Sequence, residues 1–217
     1  MADRFQAIIF DMDGVIVDSE PLHERAFREV FEEMGYGQTH GMDFPQYYGR
    51  SDRALWVDFI TKHQPRWSLE ELTEWKQRRF LEIIRLEQPI FVGLPELLEK
   101  LSVRYRLAVA SGSFHPVIDE VLAMRDLRRF FPVVVSVQDV PRGKPAPDVF
   151  LRAAELLAVP PQRCCVIEDA AAGVEAALAA GMAVIGITNS LPAEQLARST
   201  HVVDTYDQLE RLLMQPV

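Results

Sequence analysis

Cysteine is nearly absent from this 217-residue chain: Cys164 and Cys165 are its only two, and they are adjacent in one apolar run. Neighbouring thiols cannot staple distant segments, so a disulfide framework is excluded, and a zinc site built on them would lack ligands. Buried packing is their expected role. Positive charge is also scarce, with 23 Lys and Arg against 32 Asp and Glu and a net charge of -9. That balance argues against a nucleic-acid partner, because binding a phosphate backbone needs clustered Lys and Arg. No stretch approaches the roughly 20 apolar residues of a membrane span. Met1-Ala2-Asp3-Arg4 lead into the first apolar run without a charged-then-apolar signal pattern, so no membrane partner and a cytoplasmic location are expected. Internal repeats and low-complexity tracts are missing as well. What remains is 48% hydrophobic and 25% charged, enough for one sizeable core plus a smaller second unit in an expected monomer.

The chain is organised around residues 7–16, an Ile- and Phe-containing run that ends in Asp11-Met12-Asp13-Gly14. Such a run suits a parallel strand covered on both faces, and ligands bind beyond the ends of such strands. In near-extended backbone, residues i and i+2 point the same way, so Asp11 and Asp13 can share one target. One carboxylate can serve as nucleophile or metal ligand while the other gives and takes a proton. A bare Asp-x-Asp is often only a solvated turn, and the residues that recur later must decide.

Apolar residues recur at helical spacing over 21–34, 51–62 and 68–86, the last opening with Ser68 and Glu71 like a capping box. No strand is expected between residues 18 and 88, which read as an all-helical insert. From residue 89 helices alternate with short strands: helix 94–103, strand 106–110, helix 115–123, strand 133–137, helix 146–157, strand 164–167, helix 171–180, strand 183–187, then a strand and helix within 201–213. Alternation at this spacing implies a doubly wound parallel α/β sheet. The insert leaves the loop after the first strand, where a lid over the acidic pair is expected.

The other strand ends carry polar groups too. Ser111-Gly112-Ser113 can bind a phosphate oxygen through hydroxyl and backbone N–H groups, or serve as a helix N-cap. Lys144 stands between Gly143 and Pro145 before a helix, and Pro145 favours a directed side chain. Glu168-Asp169 close the fourth strand, followed by small residues up to Gly173. Asp11, Glu168 and Asp169 at one edge repel by about 4 kcal/mol per pair at about 4 Å, so a cation is implied, and oxygen-only ligands suit Mg²⁺.

These motifs, Asp11-Met-Asp13-Gly14, Ser111-Gly-Ser113, Gly143-Lys144-Pro-x-Pro-Asp148 and Glu168-Asp169-Ala-x-x-Gly173, resemble those of the haloacid dehalogenase superfamily, in the branch of β-phosphoglucomutase and small-metabolite phosphatases. The resemblance implies an α/β core of residues 1–17 and 90–217 and a helical cap of 18–89, with hinges near Asp18-Ser19 and Gln88 to Gly93. It implies Asp11 as nucleophile, Asp13 as general acid/base, and Ser111 and Lys144 as holders of the phosphoryl group. Mg²⁺ would be held by Asp11, the Asp13 carbonyl and Asp169, with Glu168 close by. Gly112 and Ser113 would line the substrate site, and His23, Arg50 and Lys76 resemble substrate-facing cap positions. The implied activity is hydrolysis of a small phosphorylated metabolite. A phosphosugar mutase is the alternative, but mutases of the branch carry a Lys where this chain has Phe114. A phospho-receiver switch is a further alternative, disfavoured by the insert and by Asp13, which would hasten loss of the phosphoryl group.

Overall fold

The computed structural model describes residues 5–47 and 52–214. The chain divides into two compact units: residues up to Asp18 together with those from Pro89 onward, and Ser19–Gln88.

The larger unit is a six-stranded sheet in the order β3-β2-β1-β4-β5-β6, with every pairing parallel. Its strands are β1 Ala7–Phe10, β2 Arg106–Ala110, β3 Val133–Val135, β4 Cys164–Glu168, β5 Ala183–Ile187 and β6 His201–Val203. β1 and β4 are buried along their whole length, as expected where helices cover both faces. Alternation then sorts their side chains. Ala7 and Ile9 of β1 join Val166 of β4 in a cluster with Val149, Phe150 and Ala153 of helix α6 (Asp148–Leu157) and Val174 and Ala177 of α7 (Ala171–Ala179). Phe10 points the other way and meets the edge of Phe131, ring centroids 5.9 Å apart. Helices α4 (Leu94–Ser102) and α8 (Tyr206–Met214) pack together, and α5 (His115–Ala123) follows β2. Both cysteines are buried, and burial pushes the Cys164 thiol up to about 11, in keeping with a packing role.

Most boundaries fall within one residue of the expected ones, and two depart by two residues for local reasons. Strand β3 stops at Val135, not 137, because Ser136 caps a short 3-10 turn, Val137–Asp139, and turns the chain out of the sheet. Helix α6 begins at Asp148 rather than 146, since Pro145 and Pro147 hold the preceding residues in a loop. The Lys144–Pro145 peptide in that loop is cis.

The smaller unit holds α1 Glu20–Glu33, α2 Asp52–His63 and α3 Leu69–Glu87, with α3 packed on both others and no strand among its described residues. Ser68 and Glu71 form the reciprocal capping box at the start of α3. Its core is aromatic: Phe27, Phe31, Trp56 and Phe59 meet at tilted or edge-on angles with centroids 4.8 to 5.9 Å apart.

Candidate active site

Asp11 follows β1, and its N–H donates to the Ile167 carbonyl of β4, which sets the acidic pair against the end of that strand. The chain then coils tightly, three successive N–H groups of residues 15–17 turning back on the Met12 carbonyl. Gly14 sits inside this coil at φ +72°, a conformation that disfavours any side chain. A Cβ there would lie 1.8 Å from Oδ2 of Asp169, so glycine is what lets the β4 carboxylate reach the loop. Gly173 plays the same part for Glu168, whose Oε1 lies 1.6 Å from where its Cβ would stand.

One carboxylate oxygen from each of Asp11, Glu168 and Asp169 falls within 4.8 Å of the others, and all three residues are buried. Lys144 enters from the loop before α6, its Nζ 2.7 Å from Oδ1 of Asp11 and 2.7 Å from Oε1 of Glu168. Burial would lower the lysine's pKa, but the two carboxylates outweigh it and hold the ammonium above its ordinary value. The carboxylates move the other way. Burial, then Glu168, Asp169 and Asp13, raise Asp11 well above the usual range against the pull of Lys144. Asp169 is pushed up to about 7 by burial first and Glu168 next, with the Ser190 hydroxyl and Lys144 opposing.

The individual oxygens show what the cluster lacks. Glu168 has both engaged, Oε2 by the N–H groups of Asp169 and Ala170 at 2.9 Å each and Oε1 by Lys144. Oδ1 of Asp11 meets the same ammonium at ion-pair distance, so one positive charge faces three buried carboxylates. An oxygen-only cluster short of positive charge fits a hard divalent cation. Asp11 and Asp169 are the side chains that could hold one.

Ser111 is fully buried, and its Oγ accepts the Ser113 N–H at 2.9 Å. It is not the cap of α5: that position is taken by Phe114, 45% exposed, which makes no side-chain cap bond. Beside Gly112 there is open space. The Ser113 hydroxyl donates to Oδ2 of Asp13 at 2.7 Å.

Of the residues assigned to the insert, Arg50 lies outside the described residues. Lys76 is no solvated surface lysine. It is 1% exposed and donates to Asp52 at 2.6 Å, with its Nζ 2.5 Å from Nδ1 of His23, and His23 stacks on Phe80.

Several supports escaped the sequence. Asn189 donates to the Gly14 carbonyl at 2.7 Å, and the Tyr206 hydroxyl to that of Val15 at 2.7 Å, so the loop after β5 and the start of α8 brace the acidic loop. The signal for Asn189 and Ser190 was their place just beyond β5, the same edge that supplied the other motifs. A cavity of about 510 Å³ opens at the opposite edge, lined by Phe5, Gln6, Ser102, Arg104, Tyr105 and Arg106, and contains no carboxylate.

Residues 5–181 match the haloacid dehalogenase-like hydrolase family. The chain belongs to that family. It is 34% identical over 194 residues to the fructose-1-phosphate phosphatase YqaB of Escherichia coli, covering 86% of this chain and 98% of that protein. It is 36% identical over 193 residues to the phosphorylated carbohydrates phosphatase of Thermotoga maritima, covering 86% and 87%. Among solved structures, the β-phosphoglucomutase of Clostridium difficile superposes with a TM-score of 0.77 at 27% identity, covering 94% of this chain and 93% of that one. Among the described residues, the stretch between the first and second strands of the α/β sheet is helical and holds no strand. Among the described residues no helix is long and apolar enough to cross a membrane.

Proposed function

We propose that this chain is a Mg²⁺-dependent phosphatase that hydrolyses the monoester of a small phosphorylated metabolite, with a sugar phosphate as substrate class. The observation that carries the reading is the placing of one ammonium, Lys144, against both Asp11 and Glu168, with Asp169 alongside. The similarity to phosphatases of fructose 1-phosphate and of phosphorylated carbohydrates supports the substrate class.

In this reading the Asp11 carboxylate attacks phosphorus and the bond to the ester oxygen breaks. Asp13 gives that oxygen a proton, leaving the phosphoryl group on Asp11 as an acyl phosphate. Water then attacks the same phosphorus, Asp13 takes its proton, and inorganic phosphate leaves with Asp11 restored. Lys144 pairs with Asp11, which favours the ionised nucleophile against the burial and neighbouring carboxylates that oppose it, and is near enough to share in binding the transferring oxygens; Ser111 sits at the neighbouring strand end. Mg²⁺, held by Asp11, Asp169 and the Asp13 carbonyl, would supply charge neutralisation of the phosphoryl oxygens. Glu168, with both oxygens engaged, serves chiefly to hold Lys144 and the turn into α7. The helical unit, with His23, Arg50 and Lys76, would act as the cap that selects the substrate. The protein would work as a cytoplasmic monomer.

A mutase is the second reading, favoured by the likeness to β-phosphoglucomutase. The uncharged, partly exposed Phe114 speaks against it, since gripping a second phosphate calls for a cation. The test is Mg²⁺-dependent phosphate release across phosphorylated sugars, polyols, glycolate and nucleotides, beside a sugar 1-phosphate to 6-phosphate isomerisation assay. Wild type should release phosphate and Asp11→Asn should not. An active Asp11→Asn protein would remove the nucleophile from the reading.

A further inference from the structure

Asp13 is not left to find its own orientation. Its Oδ2 accepts the Ser113 hydroxyl at 2.7 Å, and Ser113 is itself clamped from behind. The Ser113 carbonyl accepts the hydroxyl of Ser136 at 2.7 Å, and the next tie along the chain is the His115 N–H to Oε1 of Gln138 at 3.0 Å. Residues 113–115 are thus tied at both ends to the turn after β3. That turn is braced in its own right: Asp139 accepts the Ser136 N–H at 2.8 Å, Oγ of Ser136 accepts the Gln138 N–H at 3.1 Å, and the second Asp139 oxygen meets Nε2 of His115 at 3.0 Å. Ser136 is fully buried and its N–H and hydroxyl together make three hydrogen bonds, so the turn has little freedom to shift.

From this we propose that Ser113 is a positioning residue for Asp13, and that Ser136 and Asp139, which lie outside the four strand-end motifs, hold it in place. The proposal rests on the acid/base reading of Asp13. The Ser113 hydroxyl has one proton, and it is directed at Asp13, so this donor fixes the carboxylate that must face the ester oxygen in one step and water in the next. The bracket reaches that carboxylate because β3 neighbours β2 and β2 neighbours β1 in the sheet.

The test is a kinetic comparison of Ser113→Ala, Ser113→Thr and Ser136→Ala on the best sugar monophosphate. Ser113→Ala should lose about tenfold in kcat, part of the hundredfold or more that acid/base catalysis contributes, with KM unchanged. Ser113→Thr keeps the hydroxyl and should restore most of the rate. Ser136→Ala should lose less, again in kcat alone. With p-nitrophenyl phosphate, whose leaving oxygen departs without a proton, the first, phosphorylating step of Ser113→Ala should match wild type in a rapid-quench measurement. A raised KM at unchanged kcat in Ser113→Ala would overturn the proposal, because Ser113 would then be a substrate contact. So would an equal defect on both substrates with no recovery in Ser113→Thr, the mark of a merely structural role. Asp13→Asn separates the layers: if it keeps full activity, the acid/base reading fails and the proposal with it, whereas an inactive Asp13→Asn beside a fully active Ser113→Ala overturns the bracket alone.

Discussion

Gly14 and Asp169 occupy one space: a methyl group on the first would stand 1.8 Å from a carboxylate oxygen of the second. Gly14→Ala should therefore push Asp169 out of the acidic cluster and strain a backbone at φ +72°. We expect a loss of at least about a hundredfold in phosphate release and about 1–3 kcal/mol of stability. Steady-state rates and denaturant unfolding of the same sample check both. A variant with wild-type rate would mean Asp169 is dispensable where it stands.

Metal dependence is expected where three buried carboxylates face one ammonium. Activity should need Mg²⁺, vanish in EDTA, and be poorly supported by Ca²⁺, whose larger and looser coordination suits in-line transfer badly. Mg²⁺ should also raise the thermal midpoint, because it binds the folded cluster and not the unfolded chain. Asp169→Asn removes one of the repelling charges, so in metal-free buffer it should be at least as stable as wild type while gaining less from added Mg²⁺. Full turnover after exhaustive chelation would dispose of the cation.

Phe114 is exposed beside Ser113 and carries no charge. A sugar bisphosphate should not accelerate isomerisation of glucose 1-phosphate by the wild type, and inorganic phosphate should be the main product. Phe114→Lys should tighten binding of doubly phosphorylated ligands, measured by calorimetry against the singly phosphorylated ones. Faster isomerisation than phosphate release in the wild type would reverse the ranking of phosphatase over mutase.

His40 gives the helical unit a pH dependence. Its Nδ1 accepts the Met42 N–H at 3.0 Å, its ring stacks on Phe31, and burial first, then Arg28, Lys62 and His63, lower its pKa from 6.5. The neutral ring is favoured in the folded state, so the unfolded chain takes up a proton first as the pH falls. The contribution of His40 to stability is therefore complete above about pH 6.5, declines as the pH drops from there through the lower folded value, and then levels off. The buried Asp11 and Asp169 titrate in the opposite sense and are common to both proteins, so the check is the difference: from about pH 8 to about pH 5 the thermal midpoint of wild type should fall relative to that of His40→Asn, which keeps an acceptor but does not titrate. An unchanged slope in the variant would place the effect elsewhere.

Most of the framework is local chemistry and was legible in the chain. Continuous apolar runs such as Ala7–Phe10 mark strands buried on both faces, the Ser68 and Glu71 pair marks the start of α3, and polar residues directly after strands mark the ligand edge. Each of these signals is complete within a few residues, because hydrogen-bonding period and capping act over a single turn. Boundaries were less legible where a side chain from a few residues on competes with the ladder, as Asp139 does in capping the turn that ends β3 early.

Tertiary structure alone decided which groups touch. Gly14 meets Asp169 across 155 positions of sequence, Ser113 reaches Asp13 across 100, and Asn189 braces Gly14 across 175. The sequence offers Lys76 only as resembling a substrate-facing cap position, and it is folding that buries it between Asp52, His23 and Phe27. Composition and period specify which face of an element is buried, but not which side chain of a distant element will face it. That is set by strand order and register, and in this sheet the order β2-β1-β4 is what brings the serine, the aspartates and the glutamate to one edge.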